Sequence, residues 1–168
     1  MPTNKIHTLR DLIIDMARDM LDAEKQLTKA LPKMAKAASS PELKQAFEHH
    51  LEETNIHVER LQQALQKMEG ASRAKKCHGM QGILEEGEEQ MALDATPEMK
   101  DMALIAAAQK VEHYEISSYG CLCEWAKCIG ETDVKKILGD TLEEEKRCDE
   151  LLTKIAEKLF ASQHVGTA

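Results

Sequence analysis

The stretch QKVEHYEISSYG, residues 109–120, restricts the possible folds of this chain more than any other, because it places acidic side chains among apolar ones. A helix through this stretch puts Glu112, Glu115 and Tyr119 on one stripe, at steps of three and four residues. Burying one unpaired carboxylate is costly, and burying two close together costs more. The stretch therefore predicts a positively charged partner from outside its own helix.

The amino-acid composition favours an all-helical protein. Helix-forming residues abound, β-branched residues are sparse, and aromatic residues make up only 3% of the chain. A length of 168 residues suits a single domain with a sizeable core. We expect one domain over residues 1–168, with a core at 8–161 and a frayed tail at 162–168.

Charge and cysteine content narrow the possible partners and the compartment. The 22 basic and 30 acidic residues give a net charge of −8, which argues against binding to nucleic acid or to an anionic membrane. No apolar run reaches the length of a membrane span, and the N-terminus lacks the order of a signal peptide. The cysteines are odd in number and irregularly spaced, which favours reduced thiols in the cytoplasm. They are Cys77, Cys121, Cys123, Cys128 and Cys148.

Start and stop signals divide the chain into four long helices and one short helix. Thr8, Ser40 and Thr96 are predicted N-caps, and Ser40 and Thr96 each precede a proline. The long connection around the short helix predicts a crossover that runs the length of a four-helix bundle. The predicted helices run from Thr8 to about Ala37, Pro41 to Glu69, Met80 to Leu93, Pro97 to Ile129 and Asp133 to Ala161.

Each of the four long helices carries an acid on its apolar stripe. A bundle with one carboxylate from each helix pointing inward is the arrangement of carboxylate-bridged di-metal proteins. Two metal ions would neutralise acids that could not otherwise be buried, and oxygen ligands with some imidazole suit iron or manganese. The candidate ligands are Glu24, Glu53, Glu112 and Glu145, with His50, His57, Glu115 and Asp149 close to them along the helices.

The distance of each acid from its hairpin turn tests whether the four lie at one level. Glu24 and Glu53 lie about 15 and about 14 residues from the first turn, which places them level. Glu145 lies about 15 residues from the second turn, where Glu115 matches it better than Glu112, at about 18. The order of preference between Glu112 and Glu115 stays open.

Simpler interpretations apply to each of these residues taken singly. Glutamate commonly fills helix surfaces, so a single acid near a stripe is by default a boundary residue. Tyr119 fits a core tyrosine whose hydroxyl bonds an acid. His113 lies beside the paired acids in sequence and has a second interpretation, as a residue that supports a ligand. The residues expected on the solvated surface are Glu52, Glu59, Glu124, Glu143, Glu144, His49, His78 and His113.

Four segments of the chain resemble the YciE/YciF family of bacterial stress-induced, ferritin-like proteins, and the resemblance is close to its YciF branch. The resemblance covers nearly all of residues 8–160 and implies a ferritin-like four-helix bundle, usually dimeric, with an additional short helix in the crossover. It also implies two metal ions, held by Glu24, Glu53, Glu112 and Glu145, with His50 and Glu115 beside them. The segments are AEKQLTKALPKMAKA, AFEHHLEET, MALIAAAQKVEHYEISSYG and TLEEEKRCDELLTKIA.

The chain departs from the usual ferritin-like pattern, in which a histidine follows the second-helix and last-helix glutamates by three residues. Ile56 and Cys148 occupy those positions here. His57 and Asp149 follow at the fourth position instead. With less imidazole, three alternatives stay open: a looser site, a more oxygen-rich site, or a partly vacant site.

Three functions compete at this point. The first is a di-iron or di-manganese oxidoreductase that acts on dioxygen or peroxide under stress. The second is a homodimer that sequesters iron without turnover. The third is a structural or interaction protein whose acids are vestigial and whose dimer surface carries the role. Metal content separates the third function from the other two.

Overall fold

A computed structural model describes residues 5–164, and the side chains of residues 5–161. These residues form five helices and no strand, as the composition predicts. The observed ends lie within a few residues of the predicted ones. The last helix reaches residue 164, so the predicted frayed tail starts inside it, and residues 165–168 lie outside the described residues. The helices are α1 (Leu9–Ala37), α2 (Pro41–Lys67), α3 (His78–Met91), α4 (Pro97–Cys128) and α5 (Thr132–His164).

The predicted N-caps all form. The Thr8 hydroxyl accepts a hydrogen bond from the Asp11 amide at 3.1 Å, and the Asp11 carboxylate accepts one from the Thr8 amide at 2.9 Å. Ser40 and Thr96 accept from backbone amides three residues on and are each followed by proline at the first helical position. These contacts satisfy amides that the first turn leaves unpaired.

The four long helices form a bundle in which neighbours run antiparallel. Polar contacts tie α1 to α4 at both ends, through Arg10 with Glu131 and through the amides of Ser39 and Ser40 with Asp101. Since low numbers in α1 meet high numbers in α4, these two helices run in opposite directions. The ion pairs Glu42–Lys158 and Lys67–Asp133 show the same for α2 and α5.

The connection from α2 to α4 runs back along the bundle, so these two diagonal helices are parallel. Its middle is α3, which packs against α1 and α4. Backbone contacts fix the approach to α3: Arg18 Nε donates to the Arg73 carbonyl at 2.7 Å, and the Cys77 amide donates to Asp22 Oδ2 at 2.9 Å. The chain thus adopts an all-α, ferritin-like bundle with a long crossover.

Along most of the bundle the interior is apolar. Leucines from all four long helices are fully buried, among them Leu21, Leu61, Leu104 and Leu138. Midway along the bundle this packing is interrupted by buried acids and histidines. Over residues 5–164, no helix combines the length and the apolar character needed to cross a membrane.

Candidate metal centre

A cluster of four glutamates and two histidines lies in the interior of the bundle, and each side chain has 2% or less of its surface exposed. All four long helices contribute, with one acid from α1, two acids from α4, one acid from α5 and two imidazoles from α2. The residues are Glu24, Glu112, Glu115, Glu145, His50 and His57.

The six side chains form two groups that share Glu145. Potential ligand atoms of Glu24, His57 and Glu145 lie within 4.8 Å of one another, and so do those of His50, Glu112, Glu115 and Glu145. Depth along the helices does not decide between Glu112 and Glu115, and both lie close to Glu145 in the structure.

The two oxygens of Glu145 face different histidines. Oε1 lies 2.9 Å from His57 Nδ1, whereas Oε2 lies 3.7 Å from His50 Nε2. His57 Nδ1 also lies 3.5 Å from Glu24 Oε1, and His50 Nε2 lies 3.4 Å from Glu112 Oε1. Glu145 therefore stands between the two groups of potential ligand atoms.

Most of the polar atoms in this cluster lack a hydrogen-bond partner. Among the described residues, eleven buried side-chain nitrogen or oxygen atoms have none, and nine belong to these six residues. Native proteins rarely leave buried polar atoms unpaired, because each costs about 1–3 kcal/mol. Carboxylate and imidazole atoms that converge without partners fit a pair of metal ions.

Burial and the charges of neighbouring side chains shift the pKa values of these residues. Burial raises the pKa of Glu115 well above its usual value, and the nearby Glu145 and Glu24 charges add to the effect. Burial likewise raises the pKa of Glu112, against the attraction of His50. Burial alone would lower the pKa of His57, but Glu145 and Glu24 outweigh it and raise this pKa to about 10.

Glu145 is the exception among the buried acids. Burial works to raise its pKa, but the close contact with His57 and the charges of His50 and His57 outweigh burial, so the pKa is lowered. Of the four acids, Glu145 is therefore the one most readily ionised beside the histidines. That state suits its position between the two ligand sets.

Tyr119 occupies the core as predicted, fully buried with its hydroxyl donating to Glu24 Oε1. Burial and the neighbouring Glu24 and Glu115 charges raise the pKa of Tyr119 well above its usual value. The phenol therefore stays protonated and holds one oxygen of Glu24 in place.

His57 is fixed from behind by an ion pair that the sequence analysis missed. Its Nε2 lies 2.8 Å from Glu144 Oε2, and Arg60 Nη2 donates to Glu144 Oε1 at 3.0 Å. Glu144 was expected on the solvated surface, and that expectation is wrong, since its side chain is only 16% exposed. Arg60 follows His57 by three residues, so the two side chains share one face of α2. This spacing is the sequence signal that could have predicted an acid from a facing helix between them.

Glu53 and Asp149 lie outside both groups. Glu53 is 21% exposed, with Oε2 at 3.5 Å from His49 Nδ1 and 3.9 Å from His50 Nδ1, so it stands behind His50. Asp149 Oδ1 accepts from Gln109 Nε2 at 3.2 Å and lies 3.3 Å from His113 Nε2. Their roles as ligands stay predictions.

Glu53 lies outside the cluster because of the direction in which the buried face of α2 runs. That face follows His50, Thr54, His57 and Leu61 in steps of four, three and four. Glu53 lies one residue to the side of this stripe, although it has the matching depth. The sequence therefore predicts how far along α2 a residue lies better than it predicts which face of the helix the residue is on.

Comparisons with known proteins identify a family. Residues 8–164 match the family described as a domain of unknown function, DUF892. The protein YciF of Escherichia coli (strain K12) is 46% identical over 150 residues, covering 89% of this chain and 90% of that protein.

Solved structures give the same result. The crystal structure of the E. coli stress protein YciF superposes with a TM-score of 0.90 at 44% identity, covering 93% of this chain and 99% of that chain. YcfI of Rhodopseudomonas palustris superposes with a TM-score of 0.87 at 38% identity, covering 91% and 98%.

Proposed function

The chain belongs to the DUF892 family, and we propose that this YciF-like protein holds two metal ions on its buried carboxylates and uses them to reduce dioxygen or peroxide. Iron is the first candidate and manganese the second, because the ligands are mostly oxygen with some imidazole. The observation that carries the proposal is the set of nine unpartnered buried atoms on six residues from four helices. A cluster retained only for packing would be better replaced by apolar side chains.

The ligand sets divide naturally between two ions. Glu24 and His57 would hold one ion, and His50, Glu112 and Glu115 the other, with Glu145 bridging. Four ionised carboxylates balance the charge of two divalent ions. The Glu144–Arg60 pair orients His57, as a carboxylate behind a metal-bound imidazole commonly does.

Two redox-active ions, when bound by these residues, would supply the electrons that dioxygen or peroxide needs. The residues supply access and control. A cavity of about 10 Å³ beside His50 and Glu112 is walled by apolar side chains that include Leu27, Phe47 and Ala108. This volume suits a molecule of about the size of water, which favours a small oxidant over a larger organic substrate.

Metal analysis tests the proposal. Metal-free protein loaded anaerobically with Fe(II) at neutral pH should retain about two ions per chain. Glu112→Gln should lose most of this binding, whereas Glu143→Gln, on the exposed face of α5, should keep it. Wild-type protein that retains less than roughly a few tenths of an ion per chain would overturn the proposal.

Turnover separates an oxidoreductase from a store of iron. Oxidation of two Fe(II) ions by one hydrogen peroxide consumes two protons and releases two waters. The loaded wild type should carry out this reaction faster than the Glu112→Gln variant with the same added iron. Binding without faster oxidation would leave sequestration as the function.

We further propose that the protein acts as a cytoplasmic homodimer, which sedimentation of the purified chain and fractionation of cells would test.

A further inference from the structure

Cys148 stands at the His50 end of the buried cluster. Its Sγ, a nitrogen of His50 and a carboxylate oxygen of Glu112 all lie within 4.8 Å of one another. Cys148 follows Glu145 by three residues on α5, so both side chains fall on one face of that helix. The thiol is the only sulfur in any of the three potential ligand groups of the described residues.

The neighbours of this thiol independently indicate a ligand. His50 is 2% exposed, and neither of its ring nitrogens has a hydrogen-bond partner. Glu112 is 1% exposed, and its Oε2 also lacks a partner. Two unsatisfied buried side chains from α2 and α4 thus converge with the thiol from α5.

The spacing on α5 is the one that di-metal bundles use for paired ligands. In such proteins a glutamate and a histidine three residues later both project inward. Here Glu145 keeps the first position, and Cys148 takes the second with a sulfur in place of an imidazole nitrogen.

We propose that Cys148 binds metal as a thiolate, so that the two metal positions differ in chemistry. With Cys148, the position already assigned to His50, Glu112 and Glu115 gains a sulfur ligand beside its nitrogen and oxygen ligands, and it suits a thiophilic divalent ion such as zinc or ferrous iron. Glu24, His57 and Glu145 form an oxygen-rich position. When the metal–sulfur bond forms, the thiol proton passes to solvent and no electron is transferred. This inference rests on the proposed metal centre and assigns one of its ligands.

Cobalt(II) titration of the metal-free protein tests the assignment, because cobalt–thiolate bonds absorb strongly in the near ultraviolet and carboxylate or imidazole bonds do not. The wild type should bind about two cobalt ions per chain and develop this absorption with only one of them. Cys148→Ser should lose the absorption. Cys121→Ser is the matched control, since Cys121 is also half-buried but lies outside the potential ligand groups, and it should keep the absorption.

Two kinds of failure are distinguishable. Cobalt binding without thiolate absorption, or with absorption that persists in Cys148→Ser, overturns the thiolate and leaves the metal centre standing. A wild type that binds no cobalt overturns both.

Cys148→His is a second variant that keeps the proposal testable if Cys148→Ser does not fold. It restores the Glu-x-x-His spacing and should bind about two cobalt ions without thiolate absorption. In competition between zinc and manganese, Cys148→His and Cys148→Ser should each shift the preference towards manganese by at least about tenfold. An unchanged preference in both variants contradicts the proposal.

Discussion

Within the cluster, Glu115 has the fewest polar contacts to offset the cost of burying its carboxylate. It is fully buried, and neither of its carboxylate oxygens has a hydrogen-bond partner. Glu24, by contrast, receives the Tyr119 hydroxyl, and Glu145 lies close to His57. Without metal, burial and the neighbouring Glu145 and Glu24 charges raise the pKa of Glu115 well above its usual value, which favours the neutral acid.

The raised pKa values predict how the stability of the metal-free protein depends on pH. Glu112 and Glu115 contribute stability below their unfolded pKa of about 4.3, and this contribution is lost as pH rises through the higher folded values. His57 contributes below about 6.5 and loses its contribution as pH rises through its folded pKa of about 10. Metal-free protein should therefore become less stable from pH 6.5 to pH 10, measured by urea unfolding in chelator.

Glu115→Gln isolates one part of this dependence. The amide has nearly the same shape and no proton to lose, so the metal-free variant should be more stable than the wild type at pH 9 by about 1–2 kcal/mol. Exposed Glu143→Gln should leave the profile unchanged. Equal slopes for Glu115→Gln and wild type would show that Glu115 does not titrate as a buried group.

At the scale of the helices, Asp101 holds the α1–α2 turn against α4. It is 2% exposed, and its two oxygens accept from the amides of Ser39 and Ser40 at 2.8 and 2.7 Å. This contact fixes where α2 begins, and hence the level at which His50 and His57 meet the acids of α4 and α5.

Removing the Asp101 carboxylate should therefore loosen the bundle at this end. Asp101→Ala leaves two backbone amides without their charged acceptor, so the expected loss of stability is about 2–4 kcal/mol, measured by urea unfolding. Asp94→Ala, in the exposed segment before α4, is the control and should change stability by less than about 0.5 kcal/mol. A similar effect for both substitutions would contradict the anchoring role of Asp101.

The helices themselves could be predicted from the sequence because their caps and periods are local signals. Thr8, Ser40 and Thr96 cap helices as predicted. Side-chain direction within the site is set by packing between helices, which local signals do not contain. Glu53 therefore falls beside the buried stripe, and Glu144 is drawn from the surface to Arg60 and His57.

At the scale of the whole molecule, the buried cluster lowers the stability of the fold, whereas the packing around it raises that stability. The apolar layers on either side stabilise the fold, whereas the nine unpartnered atoms of the cluster weaken it unless ligands satisfy them. Because those atoms come from all four long helices, a ligand at the cluster joins helices that are far apart in the chain. Metal binding and folding should consequently be coupled.

Metal should therefore raise the melting temperature strongly. At a free metal concentration about 100 times the dissociation constant, linkage adds about 2.7 kcal/mol per independent site, or roughly 5–10 °C for a domain of this size. Scanning calorimetry of wild type with Fe(II) under anaerobic conditions, against the same sample in chelator, measures the difference. The double variant Glu112→Gln, Glu115→Gln should show almost no metal effect while melting at or above the metal-free wild type at pH 8. An equal rise in the double variant would place the stabilising metal outside the cluster. A wild type that does not respond to any divalent ion would mean that the six buried side chains hold no metal.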